Sequence, residues 1–228
     1  MTFGLVVLAG GTGRRIGRPF PKQFLLLGGT PLIVHVLDKA RAISEIEQVV
    51  ITCPESHLAE TQELLANHRF DDRFTCIVGG ASRQESVYFG LQALEGVDSV
   101  IVHEAVRPLV SADDFRTLMA TPDPNVMYGI PISFTVLKGH DYVEGLLDRD
   151  ELVNVQLPQK FDRASLLRAH EAARRDGTEF TEDASLFVQH SGEPVRIIPG
   201  SERNIKITVP SDIVTAEALY ADLTGRGA

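Results

Sequence analysis

Leu5-Val6-Val7-Leu8-Ala9-Gly10-Gly11-Thr12-Gly13-Arg14-Arg15, followed shortly by Pro21-Lys22-Gln23, is the stretch whose reading decides the fold. The continuous apolar run predicts a strand buried on both faces, and the glycine cluster predicts a tight turn at its end. Three glycines within four residues leave no Cβ to keep a ligand away from the backbone. The N–H groups of such a turn attract anions, and Arg14, Arg15 and Lys22 add positive charge. A nucleoside triphosphate suits that combination. A bare strand-to-helix turn would use the same glycines but gain little from three exposed cations.

Two familiar glycine loops fit poorly. A P-loop needs Gly, four residues, then Gly-Lys-Ser/Thr, and that string does not follow the strand. A dinucleotide fingerprint needs G-x-G-x-x-G, but after Gly11 and Gly13 the next required position is Ile16, and Gly17 comes one place late. The acid expected about 20 residues on would have to be Asp38, which lies inside an amphipathic helical stretch.

Working outward, apolar runs alternate with helical patterns, which predicts a doubly wound α/β sheet. Strands are expected at Leu5–Ala9, Val49–Cys53, Phe74–Val78, Val100–His103, Met127–Pro131 and Val195–Pro199. Helices are expected at Pro31–Ala42, Ser56–Ala66, Ser86–Leu94, Ala112–Ala120, Ala164–Arg174 and Thr181–His190, with a last one starting near Ser211. The stretch 132–161 reads differently, as short apolar runs between polar turns, and predicts a β-arm leaving a single domain that spans 1–228.

The chain has 228 residues and a formal charge of −9, which argues against non-specific nucleic-acid binding. Cys53 and Cys76 lack metal-type spacing and read as reduced thiols of a cytoplasmic protein. No apolar run approaches membrane length, and the first strand begins without a signal-like segment.

Four further segments carry candidate chemistry. Gly79-Gly80-Ala81-Ser82-Arg83-Gln84-Glu85-Ser86 follows a strand and opens a helix. It reads as a base-approach loop, or as a helix capped by Ser82 with Glu85 completing a capping box, and both can hold at once. His103-Glu104-Ala105-Val106-Arg107-Pro108 sets an acid and an arginine at a strand end, either facing a ligand or paired locally. His103 itself reads as packed in the strand. Thr181-Glu182-Asp183-Ala184-Ser185 is on its face an N-cap with Thr181 capping. Asn204-Ile205-Lys206-Ile207-Thr208 puts a lysine between isoleucines in an extended segment, so Lys206 faces away from the apolar side and toward an anion.

Taken in order from Leu5 to Glu217, these segments resemble the 2-C-methyl-D-erythritol 4-phosphate cytidylyltransferases and their ribitol-5-phosphate relatives. The resemblance implies a mostly parallel, Rossmann-like nucleotidyltransferase sheet with a protruding β-arm that mediates a homodimer. It implies CMP transfer from CTP to a small polyol phosphate, methylerythritol phosphate first and ribitol 5-phosphate or another alditol phosphate second, with Mg²⁺ held mainly by the nucleotide. Arg15, Lys22 and Lys206 become the catalytic cations. Ala9, Gly10, Gly11, Gly13, Gly80 and Ser86 become the CTP site. Glu104, Arg107, Thr135, Arg149 and Thr181 become contacts to the acceptor, with Glu104 also a candidate Mg²⁺ ligand. Glu104 stands where an aspartate is usual, Val106 for an alanine, Ala81 for a polar residue and Phe134 for an aspartate. A dinucleotide-dependent oxidoreductase and a non-catalytic nucleotide-binding domain remain as rival classes.

Overall fold

The computed structural model describes residues 1–11 and 21–225, so the expectations for Gly13 and Arg15 lie outside the described residues. Along the chain come β1 (Phe3–Leu8), β2 (Leu26–Leu27), β3 (Thr30–Pro31), α1 (Leu32–Arg41), β4 (Ile46–Cys53), α2 (Leu58–Asn67), β5 (Phe74–Val78), α3 (Arg83–Ala93) and β6 (Ser99–Glu104). They continue with α4 (Ala112–Ala120), β7 (Val126–Pro131), β8 (Val136–Gly139), β9 (Val143–Leu147), β10 (Val153–Asp162), α5 (Arg163–Asp176), α6 (Asp183–Ser191), β11 (Arg196–Pro199) and α7 (Pro210–Leu223).

Among the described residues, seven strands form one sheet in the order β11-β7-β10-β6-β1-β4-β5. All neighbours run parallel except β10, which is antiparallel to both β6 and β7. Alternation along β1 divides the core. Leu5 and Val7 face α1, α2 and α4 through Ile33, Leu37, Leu65 and Phe115. Val6 and Leu8 face α3, α5 and α6 through Val87, Leu91, Leu166 and Phe187. Leu5, Val6 and Val7 are fully buried, and each such side chain contributes roughly 1.5–3 kcal/mol. That two-sided burial is what the uninterrupted apolar run foretold.

The expected elements are present with ends shifted by a few residues. The strand that the sequence did not announce is β10. The sequence pattern places its residues in the 132–161 stretch, yet Gln156, Gln159 and Lys160 are buried in the central sheet. Lys160 Nζ donates to Thr121 O at 2.6 Å, closing off the end of α4. Pro158, which cannot donate to a ladder, falls where the pairing with β7 slips between Gln156 and Gln159. Within the same stretch, β8 and β9 form a separate two-stranded antiparallel sheet whose Leu137, Tyr142, Val143 and Leu146 are exposed.

Caps follow the sequence in one place and depart from it in another. Ser82 Oγ accepts from Glu85 N at 3.1 Å, while Glu85 Oε2 reaches one residue further back to accept from Ala81 N at 2.8 Å. The cap of α6 is Glu182 rather than Thr181, because the longer carboxylate accepts from both Ala184 N and Ser185 N.

A third apolar cluster, Leu25, Leu27, Leu32, Leu109, Ile207 and Ala216, lies under α7. No helix among the described residues is long and apolar enough to cross a membrane.

Candidate active site

The chain passes from β1 to β4 on one side and later returns to β6 on the other, so the carboxyl end of β1 is a topological switch point. Open α/β sheets bind ligands in the crevice formed there. A cleft of about 430 Å³ occupies that crevice. Its floor is Leu8, Ala9, Gly10 and Gly11 after β1, Cys53 and Pro54 after β4, Gly79–Arg83 and Ser86 at the start of α3, and Glu104 after β6. Lys22, Lys206, Ile207 and Thr208 complete the wall.

The glycine loop before α3 is shaped by Ser86. Its Oγ accepts from Gly80 N at 3.1 Å and donates to Ser82 O at 2.9 Å. A Cβ on Gly80 would lie 2.2 Å from Glu85 Cγ and 2.4 Å from Glu85 Cβ, so the loop needs glycine for space. The loop and the first turn of α3 line the cleft in a shape held from within, since the N–H groups of Gly79, Gly80, Ala81, Glu85 and Ser86 all donate to acceptors of the protein itself.

Two lysines far apart in sequence reach the same wall. Lys22 follows Pro21 into a short 3-10 turn, Lys22–Phe24, and its Nζ donates to Thr208 O at 2.5 Å. Lys206 Nζ lies 2.6 Å from Glu104 Oε1, so the anion facing it in this structure is a carboxylate of the protein itself. Arg107 Nε takes the other oxygen, Oε2, at 2.9 Å, and Arg107 Nη1 donates to Asn204 O at 3.0 Å. Burial pushes the Glu104 carboxyl up, but Lys206 and Arg107, helped by Arg83, outweigh it and hold the group below the usual carboxylate range.

The Glu104–Arg107 ion pair forms, and Glu104 also lines the cleft. Lys206 and Arg107 each occupy one Glu104 oxygen, so two cations of the protein already neutralise the carboxylate where a divalent ion would approach. Among the described residues no group of three or more His, Cys, Asp or Glu is placed to hold a metal. The donor set thus does not fit a protein-built Mg²⁺ cage, and in this structure Glu104 serves as the counter-ion of Lys206 and Arg107.

Arg83 emerges with a larger part than its sequence context indicated. Its Nη2 sits 2.7 Å from Asp183 Oδ2 and its Nε 4.0 Å from Glu104 Oε1. Asp183 is buried, and burial alone would raise its carboxyl. Arg83 and then His170 draw it well below the ordinary range instead. The fully buried His170 approaches from behind, Nε2 lying 3.4 Å from Asp183 Oδ1. An arginine opening a helix and an acid a hundred residues later gave no local signal that they would meet.

Asn204 is the second residue whose role the sequence hid. Its Nδ2 donates to Leu157 O at 2.6 Å, and its carbonyl accepts from both Arg107 Nη1 and Gln156 Nε2. It fastens the extended segment carrying Lys206 to β10. Ile207 N donates to Val106 O at 2.9 Å, which fixes the other side. His103 is fully buried edge-on to Phe115, as its position within β6 implied, and burial, then the charge of Arg107, pull its imidazole down to about 3.

The remaining acceptor candidates are placed apart. Arg107 lines a second cavity of about 500 Å³ with Asn204, Gln156 and Phe134, adjoining the first through Lys206. Thr135 and Arg149 do meet, in a hollow at the base of the β8–β9 hairpin, where Arg149 Nη1 donates to Ser133 O at 3.1 Å. Neither lines the cleft with Lys22 and Lys206. Thr181 is exposed beside the cap of α6 and does not line it either.

The comparisons agree with one another. The family model for IspD, 2-C-methyl-D-erythritol 4-phosphate cytidylyltransferase, matches residues 3–222. A relative of that name from Geobacillus kaustophilus is 38% identical, with 97% of this chain and 98% of the relative covered. The chloroplastic form from Oryza sativa subsp. japonica is 36% identical over 94% of this chain and 73% of its own length. Among solved structures, 2-C-methyl-D-erythritol 4-phosphate cytidylyltransferase from Thermus thermophilus superposes with a TM-score of 0.76 at 30% identity, covering 96% of this chain and 98% of its own. A 4-diphosphocytidyl-2C-methyl-D-erythritol synthase from Anaerococcus prevotii reaches a TM-score of 0.84 at 25% identity, with 96% of each chain covered. On the full-length family match and the switch-point cleft it accompanies, this chain belongs to the 2-C-methyl-D-erythritol 4-phosphate cytidylyltransferase (IspD) family.

Proposed function

We propose that the protein transfers CMP from CTP to 2-C-methyl-D-erythritol 4-phosphate and releases pyrophosphate. The observation that carries this reading is the convergence of Lys22 and Lys206 on one cleft floored by Gly10, Gly11, Gly80 and Ser86. The cytosine would lie against the Gly79–Ser86 loop, with the triphosphate across the glycine turn after β1. The polyol phosphate would fill the neighbouring cavity, between Arg107 and Lys206.

A phosphate monoester is already anionic near neutral pH, so its oxygen can attack the α-phosphorus without a protein base. Two anions must approach, charge builds on phosphorus, and pyrophosphate departs. Fixed positive groups lower that barrier by positioning and by stabilising the developing charge. Glu104 holds Lys206 and Arg107 in place before substrate arrives, so little reorganisation is left for the reaction itself. Mg²⁺ would enter on the triphosphate oxygens.

The exposed apolar residues of the β8–β9 hairpin support a homodimer, in which Thr135 and Arg149 would serve the partner's cleft. Two free thiols fit a reducing compartment such as the cytoplasm.

Pyrophosphate release from CTP and Mg²⁺, measured against a panel of polyol phosphates, tests the reading. Turnover with methylerythritol phosphate is expected. Turnover confined to ribitol 5-phosphate would reassign the acceptor, and release with none of them would overturn the enzyme.

A further inference from the structure

Cys53 and Cys76 sit on neighbouring parallel strands, β4 and β5, with their sulfurs 3.3 Å apart. In the ladder Cys76 pairs with Ile51, two residues before Cys53, so both thiols share one face of the sheet diagonally. Cys53 is buried and lines the cleft beside Pro54. Cys76 is half-buried on β5, the edge strand of the sheet. Neither thiol has a part in the proposed transfer chemistry.

We propose that Cys53 and Cys76 are an oxidisable dithiol whose closure to a disulfide, by hydrogen peroxide, impairs the adjoining nucleotide cleft. A disulfide needs its sulfurs about 2.05 Å apart, so closure requires about 1.2 Å of approach from the present spacing. The hydrogen bond between the two thiols draws the Cys53 thiol down to about 7, against the opposing effect of burial, and Thr61 adds a smaller pull. Cys53 also is the thiol of the pair that lines the cleft, and it is the one placed to attack a peroxide entering there.

Its thiolate attacks one peroxide oxygen, forming S–O as O–O breaks, and hydroxide leaves to become water. The Cys76 sulfur then attacks the Cys53 sulfur, S–S forms as S–O breaks, and the second hydroxide departs as water with the Cys76 proton. Two thiols lose two electrons and two protons, and one peroxide becomes two waters. Excess thiol reverses the change by exchange.

The cleft senses closure through the backbone. Cys53 O accepts from Gly79 N at 2.8 Å, and Thr52 O accepts from Ala9 N at 2.8 Å. Both glycine loops therefore hang from the last two residues of β4, and drawing β4 and β5 together displaces the floor against which the nucleotide would lie.

The test treats the whole protein with hydrogen peroxide, counts thiols after denaturation, maps the cross-linked peptide and follows pyrophosphate release from CTP before and after dithiothreitol. Expected are loss of both thiols, one intramolecular Cys53–Cys76 peptide, a fall in kcat/KM for CTP of about tenfold (a displacement near 1 Å can cost up to about a hundredfold), and full recovery on reduction. Cys76→Ser should keep its turnover before treatment and form no cross-link after it. Two thiols still titratable after peroxide would overturn the proposal, as would a sulfinic acid at Cys53 with Cys76 untouched, or a cross-link that leaves turnover unchanged. The activity measurement rests on the CTP reading of the cleft, whereas the thiol count and peptide map do not, so the two ideas fail separately.

Discussion

Lys206 Nζ and Glu104 Oε1 lie 2.6 Å apart although 102 residues separate them in the chain. The pair joins the end of a central strand to an irregular segment near the C-terminus, and it puts a cation at the boundary between the two cavities.

Lys206→Ala and Lys22→Ala should each lower kcat by roughly 10²–10³-fold, the usual loss when one preorganised charge-stabilising donor is removed. Far-ultraviolet circular dichroism should not change, since neither side chain supports the sheet. Steady-state pyrophosphate release checks both, and an unaltered kcat for either lysine would remove it from the mechanism.

Glu104→Ala leaves Arg107, a buried cation, without its carboxylate. Breaking one side of a buried pair costs about 3–5 kcal/mol. The Lys206 partner is 44% exposed, so a loss near 3 kcal/mol is expected. Urea denaturation measures it, with Glu104→Gln losing less because its amide oxygen still accepts from Arg107.

Asp183 offers a pH test. Its folded carboxyl titrates well below the ordinary range, whereas an unfolded aspartate titrates near about 3.9. Stability from the Asp183–Arg83 pair is therefore fully present above about pH 4 and lost as pH falls below it. The urea midpoint of the wild type should exceed that of Asp183→Asn clearly at pH 7, and the gap should narrow at pH 3.5. A gap independent of pH would argue that packing alone holds this acid.

Gly80→Ala should both destabilise the protein and raise KM for CTP. The added methyl meets Glu85 at Cβ, an atom no rotamer change can move, and forced overpacking of this kind costs about 1–3 kcal/mol. Ser86→Ala should weaken CTP binding with little effect on folding, since it removes the hydroxyl that orients Gly80 N.

Tyr142 is 85% exposed and Val143 71%. Tyr142→Lys with Val143→Asp should shift the protein toward monomer in sedimentation velocity and reduce turnover, provided that Arg149 serves a neighbouring cleft. A monomeric wild type would refute the dimer directly.

The sequence made the central sheet readable because β1, β4 and β6 carry unbroken apolar runs that only two-sided burial explains. It made the glycine loop before α3 readable because Ser82 and Glu85 act within four residues of each other. β10 is hidden in the sequence because Gln156, Gln159 and Lys160 are polar residues whose partners are distant, such as Thr121 and Glu182. The pairing of Arg83 with Asp183, and the anchoring of Lys206 by Asn204, were equally invisible, because each depends on which strands become neighbours rather than on any local pattern. Thr181 has the local pattern of a cap but yields that place to its neighbour, the longer acid Glu182, which folds back on two N–H groups at once.

The small apolar cluster beneath α7 takes Leu25 and Leu27 from just after Lys22 and Ile207 from just after Lys206. That cluster therefore braces the two segments that carry the proposed catalytic ammonium groups, beside the bonds that tie Lys206 to the sheet through Asn204 and Ile207. Loosening the final helix would withdraw Ala216 from that cluster and weaken the seats of both charges, so turnover should suffer before the central sheet gives way.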